Sequence, residues 1–141
     1  MLKILFLSTS VGSLGSGQGG GVELTIQNLA QEFRRRGHQL EVVAPEGSWL
    51  KNVPVTTIAG NLQIPVQTQS REVPICLPDN SVLANMWDYA RRVQHKYDLL
   101  VNFAFDWLPF YLTPFFETRI AHFISMGSMT VASDRIMQQI I

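Results

Sequence analysis

The sequence has a single cysteine, Cys76, among 141 residues. That excludes a disulfide framework and a thiolate metal centre, and it predicts a reducing, cytoplasmic compartment. Charge of one sign is not in excess either, since eleven basic residues balance eleven acidic ones. There is no electrostatic case for nucleic acid or an anionic membrane as partner. Long hydrophobic runs are also missing. The opening "MLKILFLSTS" has too short an apolar core for a signal peptide, and no small-residue cleavage site follows it. The apolar stretch near residue 110 is interrupted by Asp106, Pro109 and Pro114, so no transmembrane segment is expected. No internal repeat is visible.

What remains is a globular composition, 46% hydrophobic and 16% charged, on a chain of one-domain size. Glycine is distributed unevenly. Six of the ten glycines lie in "STSVGSLGSGQGGGVELT", residues 8–25, between one apolar run and the next. Such backbone costs conformational entropy on folding, so the segment is either a long connection or a loop kept for close approach to a ligand.

The run "KILFLS" has the pattern of a strand buried on both faces. Val22, Ile26, Leu29, Ala30 and Phe33 then recur at helical spacing, and Gly37 stops that helix behind three arginines. "QLEVVAP" is a second strand. Strand, glycine loop, helix and strand in this order make a βαβ unit, and hence a parallel sheet in an α/β, Rossmann-like three-layer domain. Further along, "VPVTTIAG" reads as a third strand and residues 60–80 as a long excursion. A helix is predicted from Ser81, its N-cap, to about Lys96, with Leu83, Met86, Trp87, Ala90 and Val93 as its core stripe. "YDLLVNFAF" and "TRIAHFIS" read as buried strands, with a short broken helix in "DWLPFYLTPFFE" between them. "MTVASDRIMQQII" reads as a helix that reaches the last residue without a stop signal, which predicts a domain incomplete at its C-terminal side.

Unblocked backbone N–H groups at a helix start form an anion site whose usual guest is phosphate. Three versions of that idea can be set against the spacing. Gly12 and Gly17 have P-loop separation, but Gln18 and Gly19 stand where Lys and Ser/Thr belong, so the P-loop fails. Gly15, Gly17 and Gly20 spell the dinucleotide fingerprint, but six residues separate Ser8 from Gly15, whereas the fingerprint follows its strand directly. An NAD(P)-binding oxidoreductase therefore stays as an alternative, as does a non-enzymatic binding or assembly module. The third version is a longer loop ending in a glycine pair at the helix start.

That version, "GGGVELTIQNLAQEFRRRGHQLEVVAP", resembles the opening of GT-B-fold glycosyltransferases of family 4. Gly20, Gly21, Arg36, Gly37 and His38 match the family pattern residue by residue. The resemblance implies the N-terminal, acceptor-side half of a GT-B fold spanning residues 1–141, with the C-terminal donor-binding domain absent and the chain alone inactive. It implies transfer of a hexose from a nucleotide sugar to a small acceptor, with no bound metal or cofactor, and Gly20 and Gly21 facing the donor diphosphate. No Asp-x-Asp motif occurs, which disfavours the metal-dependent GT-A alternative. Within the family, "GGGVELT", "FDWLPFYLTPFF" and "AHFISMGS" look most like enzymes that move glucose from UDP-glucose to the pterin tetrahydrobiopterin. One departure stands out. Many members carry a histidine at the end of the strand matching "TRIAHFIS", where this chain has Ser125-Met126-Gly127-Ser128 and places His122 inside the strand.

Single residues have competing readings. Asp106, past the carboxyl end of a buried strand, is an acceptor ligand and candidate general base, or an N-cap for "WLPFY". Ser125, Gly127 and Ser128, at the next strand end, are acceptor contacts or a cap. Half of the chain's aromatic residues fall between Phe103 and Phe116, as core or as an apolar acceptor pocket in which Trp107 faces a flat acceptor. His38 is expected in a turn, His95 exposed, and His122 as a satisfied core histidine. The clusters Arg34-Arg35-Arg36 and Arg91-Arg92 are expected as solvated helix ends.

Overall fold

A computed structural model describes residues 1–17, 20–63, 72, 74, 76–124 and 131–140. Five strands form one parallel sheet in the order β3-β2-β1-β4-β5, where β1 is Lys3–Leu7, β2 Gln39–Pro45, β3 Val55–Ile58, β4 Leu99–Asn102 and β5 Ile120–His122. β1 is central. It pairs with β2 from Lys3↔Gln39 to Leu7↔Val43, and with β4 from Ile4↔Leu99 to Leu7↔Asn102. Its first residue is tied to β4 as well, since Lys3 N–H donates to the Asp98 carboxylate at 2.8 Å across 95 residues. The chain order reverses between β1 and β4. In open α/β sheets that switch point opens the ligand crevice at the carboxyl ends of the strands.

Alternation along β1 sorts its side chains to two faces. Ile4 and Phe6 join Ile26, Ala30, Leu40 and Val42 beneath α1 (Gly21–Arg35), while Leu5 and Leu7 join Leu83, Met86, Trp87 and Leu100 beneath α2 (Val82–Val93). Each fully buried side chain of this size contributes about 1.5–3 kcal/mol of transfer free energy. The α/β architecture and parallel sheet expected from the sequence are present. The helix stripes also face the core, with Ile26 and Ala30 of α1 and Leu83, Met86, Trp87 and Ala90 of α2 buried, and Val22, Leu29, Phe33 and Val93 partly buried.

The helix ends follow local chemistry. α1 closes in a Schellman arrangement: His38 N–H donates to Phe33 O and Gly37 N–H to Arg34 O, both at 3.0 Å, and Gly37 takes φ +93°. The Phe33 and His38 rings meet edge-on across this turn, and His38 Nδ1 accepts the Leu2 N–H at 3.0 Å. His38 thus has the turn role expected of it. Ser81 caps α2 by accepting the Ala84 N–H. α2 ends at Val93, earlier than the sequence predicts, and one 3₁₀ turn continues to Lys96. Arg35 and Arg36 pair with Glu32, Arg91 and Arg92 with Asp88, all with solvated side chains. His95 is exposed beside Glu117.

β4 and β5 are shorter than their apolar runs suggest. The regular part of "YDLLVNFAF" stops at Asn102, whose side chain accepts from Ala104 N–H and donates to Ala104 O, both at 2.9 Å, turning the backbone out of the sheet. α3 (Trp107–Leu112) and a 3₁₀ turn at Thr113–Phe115 make up the broken helix, and α4 spans Val131–Ile140. Residues 64–71, 73 and 75 of the excursion over 60–80 fall outside the described residues.

Candidate functional site

Every loop that follows a strand of a parallel sheet emerges at the same edge. After β1, Ser8, Thr9 and Ser10 stay buried, and the Ser8 hydroxyl has no hydrogen-bond partner among the described residues. The glycine-rich segment that follows is held by the loop after β2. Ser13 Oγ donates to Glu46 O at 2.7 Å, Leu14 N–H donates to Ser48 Oγ at 2.8 Å, and Trp49 N–H donates to Leu14 O at 3.2 Å. From the other side, Glu23 in the first turn of α1 accepts the Gly15 N–H at 2.6 Å. The segment after β3 joins as well, with Gln63 N–H donating to Ser10 O at 2.8 Å. The first half of the glycine loop is therefore a built structure.

The second half ends at α1. Gly20 occupies the N-cap with φ 61° and ψ −136°, backbone angles open to glycine and costly for other residues, and no side chain caps the helix. A Cβ added at Gly20 or Gly21 would meet nothing within 4 Å. The first turn of this four-turn helix thus carries no side-chain cap, its Glu23 N–H turning back to Gly20 O at 3.3 Å, and an uncapped helix start suits an anion.

Asp106 lies beyond β4, the neighbour of β1, and so at the same edge of the sheet. It is 7% exposed, and Oδ1 accepts the Trp107 N–H at 2.8 Å as the N-cap of α3. Burial pushes its carboxyl up to about 6, against the opposing pull of the Trp107 and Leu108 N–H groups. The capping reading is therefore realised. The same carboxylate is poised near neutrality, where proton transfer is most effective. No described hydrogen bond or ion pair joins Asp106 to the glycine loop.

Trp107 is partly buried, its indole nitrogen is enclosed without a described partner, and its ring lies 5.7 Å from that of Tyr111. The aromatic segment divides between roles. Phe103 and Phe110 are buried core, while Tyr111 and Phe115 are exposed. Ser125, Gly127 and Ser128 lie outside the described residues.

His122 is half-buried and satisfied at both ring nitrogens, by Asn102 Nδ2 at 3.0 Å and Thr113 Oγ1 at 2.8 Å. Burial depresses its pKa to about 4. It is a structural histidine, as the sequence suggests. Sequence reasoning missed the clamp of Ser48 and Trp49. The only signal was their position in "EGSWL", just past the end of β2.

No helix among the described residues is long and apolar enough to cross a membrane. The sequence finds no match among curated proteins. The family model for Glycosyltransferase Family 4 matches residues 19–125, from the end of the glycine loop to the segment after β5. Together with the parallel Rossmann-like sheet, this match places the chain in glycosyltransferase family 4.

Proposed function

We propose that this chain is the acceptor-side domain of a cytoplasmic GT-B glycosyltransferase that moves glucose from UDP-glucose to a small pterin acceptor. The observation that carries the reading is the uncapped start of α1 at Gly20–Gly21, open to solvent at the switch-point edge of a family 4 domain. In this reading Gly20 and Gly21 approach the donor diphosphate, and the helix start stabilises the charge that UDP carries away. Asp106, Trp107, Ser125, Gly127 and Ser128 line the acceptor side. The anomeric C–O bond to the diphosphate breaks with its electron pair going to UDP. The acceptor oxygen forms the new bond, and its proton passes to the Asp106 carboxylate, which is ionised at neutral pH.

The residues that grip the rest of the donor would come from a second, donor-binding domain, so the 141-residue chain should transfer no glucose by itself. The test is incubation of the purified chain with UDP-glucose and reduced biopterin, together with a titration of UDP, biopterin and NADH. Biopterin binding without turnover supports the proposal. Turnover of UDP-glucose by the pure chain overturns its half-site part, and tight NADH binding overturns the transferase reading.

A further inference from the structure

Trp49 is the second outstanding feature of the carboxyl edge. It is 66% exposed, although an indole normally contributes a large area to a core or an interface. Its position is nonetheless fixed. The Trp49 N–H is bonded to Leu14 O, and Ser48 beside it accepts the Leu14 N–H. The ring itself rests on Gly15. A Cβ at Gly15 would lie 3.0 Å from Trp49 Nε1 and 3.3 Å from Cδ1, so the absence of a side chain there makes room for the pyrrole side of the indole. The rest of the ring is left open. The anchored backbone and the Gly15 contact restrict where this ring can sit, so stacking on it costs less further entropy than on a ring carried by a free loop.

The loop that carries Trp49 follows β2, in parallel register with β1, and clamps the same glycine segment that leads to Gly20. We infer that Trp49 is the stacking platform for the fused heteroaromatic ring of the acceptor, and that it favours ring-bearing acceptors over aliphatic alcohols. This inference rests on the acceptor role proposed above for the domain. Trp107 offers less, because its indole nitrogen is buried and its ring leans on Tyr111. Trp49 is thus a positioning and specificity residue with no part in bond making.

The test is a titration of the 141-residue chain with biopterin, read both by calorimetry and by tryptophan emission, for wild type, Trp49→Leu and Trp49→Phe. Aromatic pairing of this kind is worth about tenfold in affinity. Trp49→Leu should weaken binding by about that factor and remove most of the emission change, and Trp49→Phe should restore part of the affinity. All three proteins should melt at nearly the same temperature. Equal biopterin affinity in wild type and Trp49→Leu overturns the role of Trp49 and leaves the acceptor reading standing. No biopterin binding by wild type overturns both. A Trp49-dependent response to glucose or UDP in place of biopterin overturns the assignment of the platform to a planar acceptor.

Discussion

His122 Nδ1 faces the amide nitrogen of Asn102 at 3.0 Å, which fixes the protonation of the ring. Asn102 Oδ1 is already taken by the Ala104 N–H, so Nδ2 must point at His122 and donate. Nδ1 is then an acceptor, and Nε2 carries the hydrogen and donates to Thr113 Oγ1, whose own hydrogen goes to Pro109 O. A second ring proton would meet a donor. This ties the end of β4, β5 and α3 together through one neutral imidazole.

The first prediction follows from the titration of that ring against Asp106. The pKa of His122 falls from 6.5 to about 4 on folding, so the unfolded chain binds more protons between these values. The stability it supports is complete above about pH 6.5 and is lost as pH falls through about 4. Asp106 runs the other way. Raised from 3.8 to about 6, it supports stability below about pH 3.8 that is lost as pH rises through about 6. The two slopes oppose each other between pH 4 and 6, and wild type should be nearly flat there. In urea titrations, His122→Gln should become less stable as pH rises across this window, and Asp106→Asn should become more stable. Parallel profiles for the two variants would contradict the assignment.

Asp106→Asn also separates capping from chemistry. Asparagine caps about as well as aspartate, and it removes a buried charge at neutral pH. The variant should melt at or slightly above the wild-type temperature at pH 7.5, whereas Asp106→Ala should lose about 1 kcal/mol of cap. In the complete enzyme, Asp106→Asn should lower turnover about 10²-fold or more, the scale of losing a general base. Wild-type acceptor kinetics in this variant would end the proposal of an essential charged role.

Two glycines should respond in opposite ways. At Gly60, φ is +149° and an added Cβ would lie 2.7 Å from the Val82 backbone and 2.9 Å from Asn80 O, where nothing yields cheaply. Gly60→Ala should therefore cost on the order of 2–3 kcal/mol in stability. Gly21 has no left-handed φ and no neighbour near its missing Cβ. Gly21→Val should keep the fold within about 1 kcal/mol while reducing catalysis in the complete enzyme by about 10²-fold. Thermal melts and kinetics of the same preparations distinguish the two, and unchanged kinetics in Gly21→Val would make the loop a connection only.

Gln94 should prove the most costly polar residue away from the site. It is buried at the start of the 3₁₀ turn, and its Oε1 accepts both the Glu117 and Thr118 N–H groups while its main-chain carbonyl accepts the Thr118 hydroxyl. Gln94→Met keeps the volume and removes the acceptor. It should cost about 2 kcal/mol, by the usual penalty for stranded donors, and be visible as a lower urea midpoint. An unchanged midpoint would mean that water replaces the amide.

Much of the fold was legible because its signals are periodic. The α1 stripe from Val22 to Phe33 and the α2 stripe from Leu83 to Ala90 repeat at helical spacing, β1 is an apolar run behind Lys3, and β2 carries Leu40 and the run from Val42 to Ala44. Strand ends were less legible. Asn102 stops β4 with a side-chain bond to its own backbone, which competes with the ladder and leaves no periodic trace. At the site, the glycine pair and Asp106 stood out as types in suggestive places. The clamp from Ser48 and Trp49 did not, since its partners lie 34 residues apart for Leu14 and Ser48 and no local pattern encodes such a pairing.

The position of β1 also sets an order of events during synthesis. β1 is made well before the neighbours that bury it: its apolar side chains on the α2 face wait for Leu83, Trp87 and Leu100, and its first amide waits for Asp98, 95 residues downstream. Translation proceeds at about 5–20 residues per second, so a nascent chain carries Leu5 and Leu7 without their partners for roughly 5–20 s. Over that interval "KILFL" is an apolar, β-prone segment without the neighbours that bury it in the finished sheet.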